Sequence, residues 1–297
     1  MYKRLVIKHQ GKKNRLFLSL KFWKWKKRKY KNVFKYSNII TFLEKRERFA
    51  LQTIILTSGV IATQFIFLDT RFYIVLILSV LSYFLTWWSL KEDIEGNEKI
   101  LLFILPTLFT ASLSLFYFLL PQRMIIRLIT TVIFVIGTYA ILLVENIYNV
   151  SAQRSIQLLR AAQSVGFLIT LTVIFLSANI IYSLRMPFWA NMIFLTSVGF
   201  LLALQSLWSV DLGKKLSKEV ILFATIVGVG VGELSLALSF WPIQNASFSL
   251  LISATFYAMV GIIQQRLSER LFINVIREYI IVFIFTFILT FLTTKWG

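Results

Sequence analysis

The feature that most constrains this chain is a series of nine apolar runs, each about as long as a membrane-crossing helix. Such a helix needs about 20 mostly apolar residues to cross roughly 30 Å of hydrocarbon. The runs cover Phe49–Leu68, Phe72–Leu90, Ile100–Leu120, Leu128–Val144, Val165–Tyr182, Phe188–Trp208, Val220–Phe240, Ser247–Ile263 and Tyr279–Thr293. The sequence therefore predicts an all-α integral membrane protein, a polytopic bundle of about nine transmembrane helices.

Composition supports this class and narrows the chemistry. Hydrophobic residues make up 58% of the 297 residues and charged residues only 15%, whereas a soluble domain is about a quarter charged. There is no cysteine, and the one histidine, His9, lies in the N-terminal tail. Disulfides and thiolate metal sites are thus excluded. We expect no metal site and no cofactor within the membrane.

The distribution of Lys and Arg predicts the orientation. With the N terminus in the cytoplasm, the inner segments carry 27 of the 32 basic residues and the outer ones carry 5. Cytoplasmic loops are enriched in these residues. We therefore predict an N-in, C-out protein of the plasma (cytoplasmic) membrane.

Local matches suggest an internal duplication. Trp88-Ser89 recurs as Trp208-Ser209 at an offset of 120 positions, and Leu113-Ser114-Leu115 recurs as Leu234-Ser235-Leu236 at 121. A four-helix unit present twice in parallel, followed by a ninth helix, would account for both, although apolar sequences also produce chance matches. The predicted organisation is a tail (1–48), a first four-helix unit (49–150), an amphipathic linker (151–164), a second unit (165–266), and a linker with the ninth helix (267–297).

The linker prediction rests on a wider segment, Glu145–Gln163. Its apolar and polar residues alternate at helical spacing, which is typical of an amphipathic helix at the inner membrane interface. Two nearby stretches, Ser151–Val165 and Leu204–Leu212, resemble parts of uncharacterised bacterial multi-pass membrane proteins. That resemblance implies a polytopic membrane fold and no particular activity.

The N-terminal tail is strongly basic and aromatic, with 17 Lys and Arg among its 48 residues. Its central residues are Lys21, Trp23, Lys24, Trp25, Lys26, Lys27, Arg28 and Lys29. Cations beside aromatic rings suit an anionic lipid surface. The charge could instead serve only to fix the topology. Nucleic acid would also attract a basic aromatic segment, but tethering at the bilayer makes it the less favoured partner.

Glu233 is the acidic residue that the sequence places in the middle of a span. An ionisable group at that depth is unfavourable in free energy, so it is a functional-site hypothesis by default. Gly228, Gly230, Gly232 and Ser235 surround it in a small-residue pattern that lets another helix come close. We expect the seventh span to be central, with the Glu233 carboxylate turned inward.

Two interpretations of Glu233 remain open. It could be a proton- or cation-coupled site, or a protonated acid bonded to a backbone carbonyl or a polar side chain. The polar candidates are Asn179, Asn191, Gln205 and Gln64. Under the duplication, Ser112 occupies the corresponding position in the first unit.

The sequence lacks the patterns that membrane enzymes need. It contains no HExxH motif, no paired aspartates and no glycine-rich phosphate loop between a strand and a helix. We therefore expect a protein that is not an enzyme. The favoured function is a small-solute or ion transporter, and the alternatives are a scaffold with a membrane protein partner or a second copy, or a lipid-handling protein.

Overall fold

A computed structural model describes residues 44–65, 71–91, 97–121, 123–150, 156–212 and 216–294. The chain divides into two compact units, Met1–Arg48 and Phe49–Gly297. Of the first unit, only residues 44–48 are described, and they begin the first helix. There the backbone N–H of Glu44 donates to the Glu47 carboxylate at 2.9 Å, as in the returning half of a capping box.

The described residues form nine α-helices and one 3₁₀ helix. The α-helices are α1 (Lys45–Thr63), α2 (Arg71–Leu90), α3 (Ile104–Tyr117), α4 (Met124–Asn149), α5 (Ile156–Ser183), α6 (Phe188–Asp211), α7 (Lys218–Leu238), α8 (Asn245–Leu267) and α9 (Ile273–Thr293). The 3₁₀ helix, Asn97–Phe103, leads directly into α3.

Eight of these helices are long and apolar enough to cross a membrane. They are α2 to α9, with the end of the 3₁₀ helix extending α3, and they coincide with eight of the nine predicted spans. The exception is α1, whose first turn holds the charged residues 45–48. Part of its predicted span, residues 66–70, lies outside the described residues. The ninth crossing, the orientation and the duplication therefore stay predictions.

α6 is the central helix of the bundle. All eight residues from Leu202 to Ser209 are buried, so this part of α6 is covered on every side. It packs against α7, α5, α8, α3 and the 3₁₀ helix. α9 is the opposite case, because its buried residues are Thr286 and Thr290 and its main neighbour is α8.

Glycine allows α6 and α7 to approach closely. Gly199 of α6 lies against Gly228 of α7, and a methyl group added at Gly199 would sit 3.6 Å from the Cα of Gly228. A methyl group added at Gly228 would lie only 2.9 Å from the backbone oxygen of Thr196. Backbone therefore meets backbone here, as small residues permit between membrane helices.

The structure differs from the predicted interface helix over Glu145–Gln163. Glu145 lies in the last two turns of α4, and Ile156 begins α5, which continues as a single helix to Ser183. Residues 151–155 are outside the described part of the chain. The polar residues of this segment therefore extend two long helices, and one of them, Glu145, is buried in the core.

Candidate functional site

The most unusual group in the described core is the Glu145 carboxylate. The side chain is fully buried, and one carboxylate oxygen, Oε1, accepts a hydrogen bond from the Gln205 amide of α6. Gln205 is itself 4% exposed. Charged groups are almost never fully buried without a partner. Burial of the Glu145 side chain is therefore unfavourable in free energy, and its bond to Gln205 offsets part of that cost.

Further polar bonds surround the same part of α6. Gln163 of α5 donates to the backbone oxygen of Ser209 at 2.8 Å. Gln264 of α8 donates to the hydroxyl of Ser206 at 2.9 Å and to its backbone oxygen at 3.2 Å. α5 and α8 therefore each hold the last turns of α6 through a side-chain amide, and α4 does so through the carboxylate that accepts from the amide of Gln205.

Polar contacts at the neighbouring helix ends extend this layer. Gln52 of α1 donates to the Thr86 hydroxyl of α2 at 2.8 Å and accepts from the Ser89 hydroxyl at 2.7 Å. Asn149, at the end of α4, donates to the backbone oxygen of Leu90 at 3.2 Å. These bonds join the starts of α1 and α5 to the ends of α2, α4, α6 and α8. We name this side of the bundle the polar end, and by the charge distribution it is the predicted cytoplasmic side.

Two oxygen atoms of the Glu145–Gln205 pair have no hydrogen-bond partner among the described residues. They are Oε2 of Glu145 and Oε1 of Gln205. Buried polar atoms are paired in most proteins, and an unpaired one costs about 1–3 kcal/mol, or more when charged. Both atoms are acceptors, so the group that complements them is a hydrogen-bond donor or a positive charge.

A small pocket borders Gln205 of this pair. It is lined by Leu105, Tyr148, Gly166, Phe167, Thr170, Gln205, Ser206 and Ser209, and its free space is about that of one water molecule. Gly166 makes room for the Tyr148 hydroxyl, because a methyl group there would lie 2.6 Å from that oxygen. The Tyr148 hydroxyl donates to the backbone oxygen of Ala162 at 3.1 Å, which fixes the ring at the edge of the pocket.

The prediction that Glu233 turns inward is wrong. Its side chain is exposed on the outer face of α7. The reason is helical phase: the buried stripe of α7 runs through Val227, Val231 and Ser235. At about 100° per residue, position 233 lies roughly opposite that stripe.

The small residues around Glu233 divide between two neighbouring helices. Gly228 and Gly232 face α6, where a methyl group at Gly232 would overlap the Thr196 hydroxyl. Gly230 faces the flexible end of Met259 on α8, and Ser235 is buried. These residues thus contact other helices, while Glu233 does not join them.

The polar groups considered as partners for Glu233 bond elsewhere. Gln205 bonds to Glu145, Asn191 to the Ser239 hydroxyl at 3.2 Å, and Gln64 to the Thr131 hydroxyl at 3.4 Å. The backbone oxygen of Asn179 accepts from Ser183. Ser112, the position matched to Glu233 by the duplication, is buried and shares a 2.8 Å bond with Ser177.

The basic tail residues lie outside the described part of the chain. They are Lys21, Trp23, Lys24, Trp25, Lys26, Lys27, Arg28 and Lys29. Their contact with anionic lipid therefore stays a prediction. Among the residues that are described, no group of His, Cys, Asp and Glu is arranged to hold a metal ion.

Sequence reasoning missed Glu145 because the apolar run of the fourth span ends at Val144. One available signal was the spacing of Glu145, Tyr148 and Asn149, which share one helix face at i, i+3 and i+4. These three residues continue the apolar stripe of α4. A helix face that continues such a stripe is directed at the core rather than at the membrane surface.

Eight apolar helices, one of which is a central helix buried along its last turns, are the architecture of a helical membrane protein. The chain belongs to the DUF5656 family, described as proteins of unknown function, which it matches over residues 48–293. No curated protein and no solved structure matches the chain.

Proposed function

We propose that this chain is a non-enzymatic transport or permeation protein of the cytoplasmic membrane, with Glu145 as the group that exchanges a cation. The observation that carries the proposal is a fully buried carboxylate with one oxygen bonded to an amide and the other unpartnered in the described structure. Ionisable groups inside membrane helices are costly, and they commonly mark ion or proton pathways.

The surroundings of Glu145 support exchange rather than a fixed structural role. A carboxyl group with a purely structural role stabilises the fold most when both of its oxygens are hydrogen-bonded. Here one Glu145 oxygen has no partner among the described residues, and its neighbour Gln205 lines a pocket with room for about one water. The site also lies among four helices of the bundle, where a small shift of α6 would change access to it.

The first experiment needs no knowledge of the transported solute. Purified protein in proteoliposomes is adsorbed on a solid-supported membrane, and charge displacement is recorded after a jump in pH or in Na⁺ concentration. We expect a transient current from the unmodified protein. Glu145→Gln keeps the size and amide pairing of the side chain but removes its charge, and it should abolish the current.

Glu233→Gln is the matched control, because it makes the same chemical change on the outer face of α7. It should leave the current unchanged. The proposal is refuted if the unmodified protein gives no current under either jump, or if Glu145→Gln behaves like the unmodified protein.

A second candidate function is a membrane scaffold that binds another membrane protein. Two observations favour it: Glu233 is exposed in the middle of a span, and α9 is buried mainly at Thr286 and Thr290. A polar group on an apolar face is stabilised by a polar partner from another helix. Cross-linking from a cysteine introduced at Glu233 would detect such a partner, and labelling by lipid-phase probes alone would count against it.

A further inference from the structure

We infer that the species bound at the Glu145–Gln205 pair is a single proton, carried on Oε2 of Glu145 and shared with Oε1 of Gln205. This inference rests on the proposed function, because it names the cation that the transport cycle would exchange. It is argued from the chemistry of the two side chains and from their surroundings.

The two unpartnered atoms define what can bind. Both Oε2 of Glu145 and Oε1 of Gln205 are acceptors. An anion would be repelled by them, and a group with only acceptor atoms could form no hydrogen bond with them. The occupant must therefore be a hydrogen-bond donor or a cation.

A proton meets this requirement with no added volume. The Gln205 N–H already donates to Oε1 of Glu145. A proton on Oε2 turns the second carboxyl oxygen into a donor, and the amide oxygen of the same Gln205 is its natural acceptor. A carboxylic acid and a primary amide pair in this way through two complementary hydrogen bonds. The step is a simple transfer: a hydronium ion gives H⁺ to Oε2, which leaves one water molecule and the neutral acid.

A metal cation fits the site less well. Hard metal cations take roughly six oxygen ligands, whereas this pair offers two. Asn149, one turn further along α4, adds another unpartnered oxygen, which still leaves the set short. The adjoining pocket has room for about one water, which is enough for a proton relay but small for a hydrated ion.

The pocket also suggests the route of the proton. It joins Gln205 to Ser209, which lies two residues before the end of α6. The titratable group that faces Glu145 most closely is Tyr148, on the same helix. Ionisable side chains described at this end of the neighbouring helices include the partly buried Lys91 and the exposed Arg160, Asp211, Glu219 and Arg266. Protons are therefore expected to enter and leave at the polar end.

Infrared difference spectroscopy of the reconstituted full-length protein tests the inference directly. Protein in proteoliposomes is titrated with pH in H₂O and ²H₂O, on a Glu233→Gln background that removes the acid in the middle of α7. We expect a carbonyl band of a protonated carboxyl group that shifts in ²H₂O and is lost when Glu145→Gln is added. Gln205→Leu should retain this band but shift it to higher frequency, because the hydrogen bonds of the acid are lost.

The outcomes separate this inference from the proposed function. A Glu145 band without charge displacement would support the proton site and overturn transport. Charge displacement driven by Na⁺, with carboxylate bands that respond to Na⁺ and no protonated Glu145 band, would support transport and overturn the proton. A band that is unaffected by Glu145→Gln would also overturn the inference.

Discussion

The contact between α6 and α7 gives a sharp prediction, because two glycines of one helix turn face different kinds of neighbour. A methyl group at Gly228 would lie 2.9 Å from the Thr196 backbone oxygen and 3.0 Å from the Phe200 backbone nitrogen. Backbone cannot move aside locally, so Gly228→Ala must push the helices apart. A methyl group at Gly230 meets only the Cε and sulfur of Met259, at 2.9 and 3.2 Å. That flexible side chain can move away.

The expected magnitude follows from these distances. Ordinary carbon contacts lie at about 3.5–4.0 Å, and a gap of 0.5–1 Å forfeits a quarter to a half of each contact energy. Gly228→Ala requires a separation of about that size along the buried contact. Overpacking of this kind costs about 1–3 kcal/mol. Gly230→Ala should change the free energy of unfolding by less than about 0.5 kcal/mol, within the range of substitutions away from packed contacts.

The higher helix propensity of alanine does not cancel the expected difference in free energy of unfolding between the two variants. Alanine favours a helix over glycine by about 1 kcal/mol in water, but membrane helices remain helical when they separate within a bilayer. Both variants therefore share the same small propensity term. The free energy of unfolding, measured by steric trapping in bicelles or by denaturation in mixed micelles, should fall for Gly228→Ala alone. Equal stability of the two variants would refute the close approach of α6 and α7.

Three further predictions concern other contacts. Gln52→Ala leaves two buried hydroxyl groups without their amide partner and should lower the free energy of unfolding by about 1–3 kcal/mol in the same denaturation assay. Gly166→Ala displaces the Tyr148 hydroxyl. We expect Tyr148 to react faster with a tyrosine-modifying reagent, or to change its fluorescence more when denaturant is added, than in the unmodified protein. An unchanged reaction rate and fluorescence would contradict the pocket geometry. Arg266→Ala removes an exposed contact of 4.0 Å with Glu219 and should cost less than about 1 kcal/mol, with a double-mutant cycle as the check.

The helices were predictable from the sequence because a bilayer imposes a length and a composition on each one. Eight predicted spans coincide with helices, and their ends fall at the turn and charge signals, as at Pro187 before α6. The first helix is not among these eight, and its opening turn is charged. Hydropathy reports how long a helix is, but it does not report which face is buried.

The candidate site was harder to predict for that reason. Glu233 sits in the middle of an apolar run and attracted attention, yet its helical phase turns it outward. Glu145 follows its run directly, and the sequence placed it at the membrane surface. Its burial depends on Gln205, which is 60 residues away in the chain. Only the tertiary arrangement of α4 and α6 brings these two side chains together.

The amide bonds that converge on α6 also have a consequence for biosynthesis. Ser206 receives its bond from Gln264, which is 58 residues later in the chain. At about 5–20 residues per second, α6 is made about 3–12 s before α8 can complete its polar contacts. During that interval a membrane chaperone or the insertion machinery would find the polar side of α6 open. Slowing synthesis between α6 and α8 should prolong that exposure, whereas slowing synthesis after α8 should not.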